Sequence, residues 1–362
     1  MHPFSEIKKN FGFGMMRLPM NGEKVDLDAV CTMVDAFLER GFNYFDTAHP
    51  YLNGQSETAI RDCLAKRHKR EDFILTNKLS GSIWEQSADI VPMLDKQLEL
   101  CGVTYFDFYL MHALDAERHA RYLSEGAYDI IQQQKALGKV RHMGISFHDS
   151  AEVLDKILTD RPDIEVVQLQ LNYADWDDPR VQSRKCYEVC VKHRKPVLVM
   201  EPVKGGSLAN LPEDAAALLP NGTPASYALR FAAGHENVFM VLSGMSNQPQ
   251  MEDNLNTMSD FKPLNPQEEA LLAQVKTIYQ SRNRIPCTAC RYCEEQCPAG
   301  IPIATIFAQV NQLHTKEGTP KVDYAKLEIR GDACLTCGKC VLACPQHLSV
   351  RELVAKSHQQ LK

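Results

Sequence analysis

Phe42-Asn43-Tyr44-Phe45-Asp46 and Phe73-Ile74-Leu75-Thr76-Asn77-Lys78 are two of eight short runs rich in Val, Ile, Phe and Tyr. Such runs are typical of strands buried on both faces of a sheet. The eight predicted strands span residues 11–15, 42–46, 73–78, 106–112, 140–145, 166–171, 197–201 and 238–243. Apolar residues recur at three- and four-residue steps between them, which predicts a helix after each strand.

Eight strands that each precede a helix predict a closed parallel barrel, the α/β (β/α)8 fold of TIM type. An open doubly wound sheet is the alternative. It is less favoured because the segment 11–17, FGFGMMR, lacks the third glycine of a dinucleotide-binding turn. We predict a barrel over residues 1–265, a connecting helix over 266–283, and a small, mainly helical domain over 284–362.

Composition limits the classes of partner. The chain has 362 residues, 44% of them hydrophobic, and a net charge of −6, so no overall positive field favours nucleic acid or an anionic membrane. The first residues show no basic start followed by an apolar run. No apolar run approaches the roughly 18 residues of a membrane span. We therefore predict a soluble, cytoplasmic protein that binds neither nucleic acid nor a membrane.

Eight of the 13 cysteines form two runs near the C-terminus. Each run has the pattern C-x2-C-x2-C-x3-C-P, which is typical of ferredoxins with two [4Fe–4S] clusters. In that arrangement the fourth cysteine of each run binds the other cluster. We therefore assign Cys287, Cys290, Cys293 and Cys344 to cluster 1, and Cys334, Cys337, Cys340 and Cys297 to cluster 2.

Two structural zinc sites are the alternative interpretation of these cysteines. Zinc modules, however, usually pair two C-x2-C units across a longer spacer. The other cysteines are scattered, and this uneven distribution favours metal binding in a reducing compartment. The C-terminal region resembles the α-helical dicluster ferredoxins, which implies that it conducts electrons within a larger oxidoreductase.

Four polar side chains fall at or just after the carboxyl ends of predicted strands, where barrel enzymes carry their catalytic groups. Asp46, Lys78 and His112 end strands two, three and four, and Tyr51 follows in the loop after Asp46. Their segments resemble the aldo/keto reductase family, and the resemblance spans essentially the whole predicted barrel. The segments that carry it include Asp46-Thr47-Ala48 with Tyr51, Thr76-Asn77-Lys78, and Tyr109-Leu110-Met111-His112.

The resemblance implies an enzyme that reduces a small-molecule carbonyl or oxidises an alcohol. Tyr51 would donate a proton to the carbonyl oxygen as a general acid. An ordinary tyrosine has a pKa of about 10, and Lys78, held by Asp46, would favour the phenolate. His112 would hydrogen-bond the substrate oxygen and orient it.

The resemblance also implies a nicotinamide, NADH or NADPH, whose carboxamide would face Ser146, Gln168 and Asn172. Two segments depart from the family pattern. Met200 stands where an aromatic residue would stack on the nicotinamide, and a methionine is not a flat stacking surface. The cations expected for a 2′-phosphate are missing after strand eight, where the candidate contacts are Ser243, Gly244, Gln250 and Asn254.

These departures and the paired clusters leave the barrel cofactor open between NAD(P)H and FMN. A cluster passes single electrons, a nicotinamide passes a hydride, and a flavin does both. The glycines at 205–206 and 244 offer backbone N–H groups for a flavin phosphate. Three functions remain: a carbonyl reductase linked to the clusters, an FMN-dependent barrel reductase, and an electron-transfer or redox-sensing subunit that docks on a redox partner protein.

Overall fold

The computed structural model describes residues 4–282, 285–315 and 319–362. Eight parallel strands close into a barrel. They are β1 (Phe11–Gly14), β2 (Tyr44–Asp46), β3 (Ile74–Leu79), β4 (Phe106–Leu114), β5 (Val140–Phe147), β6 (Val166–Gln170), β7 (Val197–Met200) and β8 (Val238–Gly244). Each predicted strand is present. The predicted closed barrel is therefore confirmed, and the open-sheet alternative is wrong.

The strands follow one another around the ring in chain order, and β1 pairs with both β2 and β8 to close it. Gly14 consequently lies opposite Asp46 on one side and Gly244 on the other. A Cβ atom at Gly12 would lie 2.7 Å from the Leu242 side chain. Glycine at this position thus lets large side chains fill the barrel, as in other closed barrels.

Helices connect the strands around the barrel and make up most of the C-terminal part. The α-helices are Leu27–Glu39, Gln55–Ala59, Ile90–Cys101, Ala116–Ser124, Ala127–Ala136, Ala151–Asp160, Ser183–Lys192, Glu213–Ala216, Pro224–Ala233, Gln248–Ser259, Pro266–Arg282, Tyr292–Glu295, Ile303–Thr315, Pro320–Ala325, Lys339–Leu342 and Val350–Leu361. Met20–Asn21 and Lys24–Val25 form a small hairpin after β1. No helix of the described residues is long and apolar enough to cross a membrane.

The first helix shows how local sequence sets these elements. The Asp26 carboxylate caps it by accepting a hydrogen bond from the Ala29 N–H at 3.1 Å. Its buried face carries apolar residues at three- and four-residue steps. Cys31 on this helix forms a disulfide with Cys63. Two of the scattered cysteines are thus cross-linked, which the interpretation of a reducing compartment does not predict.

The chain divides into two compact units. The first comprises the chain up to Asp177, Gln182–Pro202 and Ala228–Pro263, and it contains the barrel strands. The second comprises Asp178–Val181, Val203–Tyr227 and the chain from Leu264. Its two insertions come from the loops that follow β6 and β7. The predicted continuous limits at 265 and 283 stay predictions, and residues 283 and 284 lie outside the described residues.

Candidate active site and cluster-binding region

A buried lysine lies at the centre of the polar group at the carboxyl ends of β2 and β3. The Lys78 ammonium donates to Asp46 Oδ1 at 2.6 Å and to the Thr47 carbonyl oxygen at 2.8 Å. It also lies 3.2 Å from the Tyr51 hydroxyl oxygen. The structure thus brings together three of the four predicted catalytic side chains, because β2 and β3 are neighbours in the barrel.

Burial works against the charges of this ion pair. It raises the pKa of Asp46, although Lys78 opposes the change, and it lowers the pKa of Lys78, which Asp46 partly offsets. The Lys78 ammonium lies 4.8 Å from the centre of the Tyr51 ring, a contact that favours the cation. A buried charge is tolerated when it is paired and hydrogen-bonded, so loss of either partner leaves the other strongly destabilised.

A strained loop holds Tyr51. Its N–H donates to the Ala48 carbonyl at 3.0 Å. The next two residues, Leu52 and Asn53, have φ values of +53° and +54°. Left-handed backbone costs a residue with a side chain roughly 1–2 kcal/mol, and such strain concentrates at functional sites.

His112 completes the predicted catalytic set. Its ring centre lies 6.0 Å from that of Tyr51, and its Nδ1 is hydrogen-bonded to the buried Ser80 hydroxyl. Burial, aided by the positive charge of Lys78, holds the pKa of His112 well below its usual range. The imidazole is therefore neutral. When Ser80 donates to Nδ1, Nε2 carries the proton and is a donor. Sequence reasoning missed Ser80, because a serine after a strand gives no signal.

Two of the residues predicted to face a carboxamide lie side by side. Ser146 on β5 is the register partner of Gln168 on β6, and both are buried. The Ser146 hydroxyl accepts from the Ala113 N–H at 2.8 Å. The Gln168 amide reaches Asp46 Oδ2 at 3.4 Å. A hydroxyl and an amide next to Asp46 fit a group that both donates and accepts hydrogen bonds.

Asn172, the third predicted carboxamide contact, has a different setting. Its amide nitrogen donates to Asp175 Oδ2 at 2.8 Å and to the Glu201 carbonyl at 3.0 Å. Its side-chain oxygen accepts from the N–H groups of Ala174 and Asp175. The side chain thus fastens the loop after β6 to the end of β7, and its role toward a cofactor stays a prediction.

The residues predicted to contact the nucleotide after β8 hold that turn together. The Asn254 amide donates to the Ser243 hydroxyl at 2.9 Å, and Gln250 Oε1 accepts from the Ser246 N–H at 2.8 Å. The Gln250 N–H in turn donates to Asn247 Oδ1 at the start of a helix. These contacts order the turn but supply no cation.

Arg17 supplies a cation at this point from the other end of the chain. A Cβ atom on Gly244 would lie 3.2 Å from the Arg17 side chain. One guanidinium nitrogen lies 3.9 Å from a carboxylate oxygen of Glu201, the residue after β7. Met200, the predicted substitute for a stacking aromatic, ends β7 and is half-buried. Sequence reasoning missed Arg17 because only closure of the barrel brings it beside Gly244.

The second unit repeats one backbone pattern at an offset of 47 residues, the difference between Cys334 and Cys287. Positive φ angles recur at equivalent positions: Ala289 and Thr336, Arg291 and Gly338, Gly300 and His347. Equivalent helices follow: Tyr292–Glu295 and Lys339–Leu342, then Ile303–Thr315 and Val350–Leu361. The two cysteine runs therefore fold in the same way.

The thiols gather in the two predicted sets. Burial raises the pKa of Cys293, and the nearby thiols of Cys290, Cys287 and Cys344 raise it further. Burial likewise raises the pKa of Cys340, with Cys334, Cys297 and Cys337 close by. Each set thus takes three cysteines from one run and one from the other, which fits two clusters that share ligands between runs. Among the described side chains, no three metal-binding groups converge on a single ion.

A closed barrel with a buried Asp–Lys–Tyr group beside a neutral histidine is followed in the chain by a doubled four-cysteine unit. Residues 10–277 match the sequence model of the Aldo/keto reductase family, and residues 286–348 match that of the 4Fe-4S dicluster domain. The chain therefore belongs to the aldo/keto reductase family and carries a C-terminal 4Fe-4S dicluster domain. Both resemblances are confirmed, and the zinc interpretation is wrong.

Curated relatives match part of the chain. It is 23% identical over 215 residues to the uncharacterized oxidoreductase YqkF of Bacillus subtilis (strain 168), covering 57% of this chain and 64% of that protein. It is 29% identical over 171 residues to Protein REDOX 2 of Catharanthus roseus, covering 41% of this chain and 49% of that protein. The matched stretches thus span about half to two-thirds of these relatives.

Solved structures support the same fold. The holo form of aldo-keto reductase AKR11C1 from Bacillus halodurans superposes with a TM-score of 0.60 at 23% identity, covering 74% of this chain and 91% of that one. An aldo-keto reductase from Klebsiella pneumoniae in complex with NADPH gives a TM-score of 0.59 at 18% identity, covering 75% and 90%. At these identities the likeness establishes the barrel fold.

Proposed function

We propose that this protein reduces a carbonyl compound, or oxidises the corresponding alcohol, by two-electron hydride transfer with a nicotinamide bound in the barrel, and that its two [4Fe–4S] clusters separately exchange single electrons with a redox partner. The observation that carries the proposal is the buried Lys78 ammonium, 2.6 Å from Asp46 and 3.2 Å from the Tyr51 hydroxyl. A bound nicotinamide would supply the hydride. The adjacent Ser146 and Gln168 fit its carboxamide, and one similar barrel is described with NADPH.

The residues of the barrel handle the proton and the developing charge. The Tyr51 hydroxyl donates its proton to the carbonyl oxygen. The Lys78 ammonium stabilises the phenolate that remains, and Asp46 fixes the position of that ammonium. Neutral His112 donates from Nε2 to the same carbonyl oxygen. Arg17, beside Gly244, favours the negative charge of a nucleotide phosphate.

The exposed side of cluster 2 is the proposed site of exchange with a redox partner. Its ligand Cys337 is exposed, and Leu335 and Leu342 on the same run are 65% and 79% exposed. Leu342 directly follows the exposed Val341, and neighbouring exposed apolar side chains are typical of protein interaction sites. The exposed Lys339 and Arg351 nearby favour an acidic, small one-electron carrier.

Substitution of Tyr51 tests the catalytic assignment. In protein purified without oxygen, Tyr51→Phe should lower the turnover of aldehydes and ketones with NADH or NADPH by about 10²–10⁴-fold, because proton donation is lost. Reduction of the clusters by dithionite should be unchanged. Tyr105→Phe, which changes a tyrosine packed on Arg70 and Arg141, is the matched control. Unchanged turnover in Tyr51→Phe would favour an electron-transfer subunit.

A cofactor assay tests the FMN alternative, which the comparisons do not support. The oxygen-free protein is denatured and its supernatant assayed for released flavin, with iron as the internal control. About eight iron atoms per chain are expected for two [4Fe–4S] clusters. Full iron without flavin supports the nicotinamide proposal. Full iron with about one flavin per chain would replace it with a flavin that splits electron pairs between hydride and cluster chemistry.

A further inference from the structure

The segment that follows β7 in the chain packs against one cysteine loop of the second unit. Lys204 and Gly205 in this segment have left-handed backbones, with φ values of +48° and +64°. A Cβ atom on Gly205 would lie 2.2 Å from the Thr288 carbonyl oxygen. The backbone of this segment therefore rests directly on the loop between Cys287 and Cys290, and only glycine leaves room for that contact.

The same segment places a buried amine beside the other cysteine run. Lys204 is only 2% exposed, and its ammonium donates to Gln346 Oε1 at 3.5 Å. Gln346 is itself 4% exposed and stands two residues after Cys344. Cys287, Cys290 and Cys344 all belong to the cysteine set of cluster 1. One short segment therefore covers one ligand loop of cluster 1 and places a cation beside Gln346, two residues after another of its ligands.

We propose that Lys204 is a positioning residue that raises the reduction potential of cluster 1. Reduction adds a negative charge to a cluster already held by four thiolates, and burial disfavours that charge. A buried ammonium offsets this effect because the interaction of charges is weakly screened away from water. Loss of the Lys204 charge should therefore lower the potential of cluster 1.

Two features of the cluster 1 surroundings, the hydrogen-bond acceptor for Lys204 and the buried residue under Gly205, are missing at the equivalent positions near cluster 2. Forty-seven residues before Gln346 stands Ala299, whose side chain cannot accept a hydrogen bond. Forty-seven residues after Thr288 stands Leu335, which is 65% exposed, whereas Thr288 is 2% exposed. The repeat thus places the two clusters in different electrostatic surroundings.

A second basic residue near cluster 1 is largely neutralised. The Arg180 guanidinium acts electrostatically on the Cys344 thiol. It is also paired with Asp178, at 2.7 Å between Nη2 and Oδ2 and 3.1 Å between Nε and Oδ1. The Arg180–Asp178 pair therefore adds little net charge.

The consequence for electron flow rests on the proposed function. Electrons that enter at the exposed cluster 2 would move on to cluster 1, because the Lys204 charge stabilises the reduced form there. The potential shift itself needs no substrate and no partner. It is thus measurable whether or not the barrel reduces carbonyl compounds, and failure of one proposal is distinguishable from failure of the other.

The test is an EPR-monitored redox titration of the full chain, with both clusters confirmed by iron content. Cys290→Ser marks the one-electron step that belongs to cluster 1. We expect Lys204→Met to move that step to lower potential by at least tenfold in its equilibrium constant, about 59 mV for one electron. Lys204→Arg, which keeps the charge, should restore it. Lys356→Met, at an exposed lysine of the helix Val350–Leu361, should leave the cluster 1 step in place.

Each outcome decides the proposal. A cluster 1 step that stays in place in Lys204→Met, or that moves equally in Lys204→Met and Lys204→Arg, overturns it. If Lys204→Met loses iron, Lys204→Gln is prepared as a second neutral variant. Loss of cluster 1 from both neutral variants but not from Lys204→Arg supports a need for the charge. Loss from all three variants shows a purely steric role and overturns the proposal.

Discussion

The two halves of the cluster-binding unit share one cysteine pattern and one backbone, yet their surroundings differ. The loop between Cys287 and Cys290 lies under the Gly205 backbone, and its Thr288 is buried. The equivalent loop between Cys334 and Cys337 is open, and its Leu335 is exposed. The motif thus specifies where a cluster binds, whereas residues outside the motif decide how far each cysteine loop is covered.

This comparison separates two kinds of information in the chain. Cysteine spacing and three left-handed positions per run are repeated, so they serve cluster binding as such. The segment 203–206 and Gln346 are not repeated, so they serve cluster 1 alone. The exposed Leu335 and Leu342 of the second run have no exposed apolar equivalents in the first run, where the buried Thr288 and the exposed Glu295 stand 47 residues earlier. We therefore expect substitutions of the repeated cysteines to remove clusters. Substitutions of residues outside the repeat should instead alter the potential, the accessibility or the electron exchange of a cluster.

The largest expected effect tests whether each cluster takes its fourth cysteine ligand from the other run. Cys344→Ser should remove cluster 1, about half of the iron, although Cys344 lies in the second run. The double variant Cys344→Ser/Cys290→Ser should then lose no more iron, because both residues bind the same cluster. Cys344→Ser/Cys337→Ser should lose nearly all of it. The measurement is iron and sulfide content after anaerobic reconstitution.

The reverse pattern would contradict the crossed assignment. If Cys344→Ser/Cys337→Ser retained as much iron as Cys344→Ser alone, each run would bind its own cluster. Cys186→Ser is the control, because Cys186 is a buried free cysteine of the barrel and should keep all of the iron.

The next largest effect tests the contact between the Gly205 backbone and the loop between Cys287 and Cys290. Gly205→Ala should lower the occupancy of cluster 1, because the new Cβ would lie 2.2 Å from the Thr288 carbonyl oxygen. Gly206→Ala is a matched control: its φ is +92°, but its Cβ would meet only Asn210, at 3.9 Å. Both variants carry the backbone cost of roughly 1–2 kcal/mol, so the difference between their iron contents isolates the contact. Equal losses of iron in the two variants would show that the contact between Gly205 and Thr288 does not affect the occupancy of cluster 1.

The sequence predicts the repeated features well and the unrepeated ones poorly. Strand composition and helical periodicity predict the barrel, and the cysteine spacing predicts which thiols meet. Arg17 beside Gly244 and Lys204 beside Gln346 are contacts between residues far apart in the chain, with no local pattern. Asn172 is the opposite case. The family resemblance predicts that it contacts a cofactor, but in the structure its amide holds the loop after β6.

A smaller effect concerns the stability of the two clusters toward chelators. Cys337, a proposed ligand of cluster 2, is exposed, whereas Cys293, a proposed ligand of cluster 1, is buried. We expect visible absorbance to decay in two phases on addition of a chelator and air, each with about half of the amplitude, because solvent access limits attack on a cluster. The fast phase should be absent from Cys337→Ser and present in Cys290→Ser. A single phase in the parent protein would show that the halves are equally accessible.

The smallest expected effect concerns the exposed leucines of the second cysteine run. Leu342→Glu should slow electron exchange with a small acidic one-electron carrier by about tenfold, because it removes an exposed apolar contact and adds a like charge. Val322→Glu changes another exposed apolar residue of the same unit, on the helix Pro320–Ala325, and should leave the rate unchanged. The measurement is stopped-flow oxidation of the reduced clusters at two ionic strengths. The slowing should be greater at low salt, where the added charge is less screened. Equal rates in both variants would place the exchange elsewhere, and cluster 2 would then be exposed without being the point of entry.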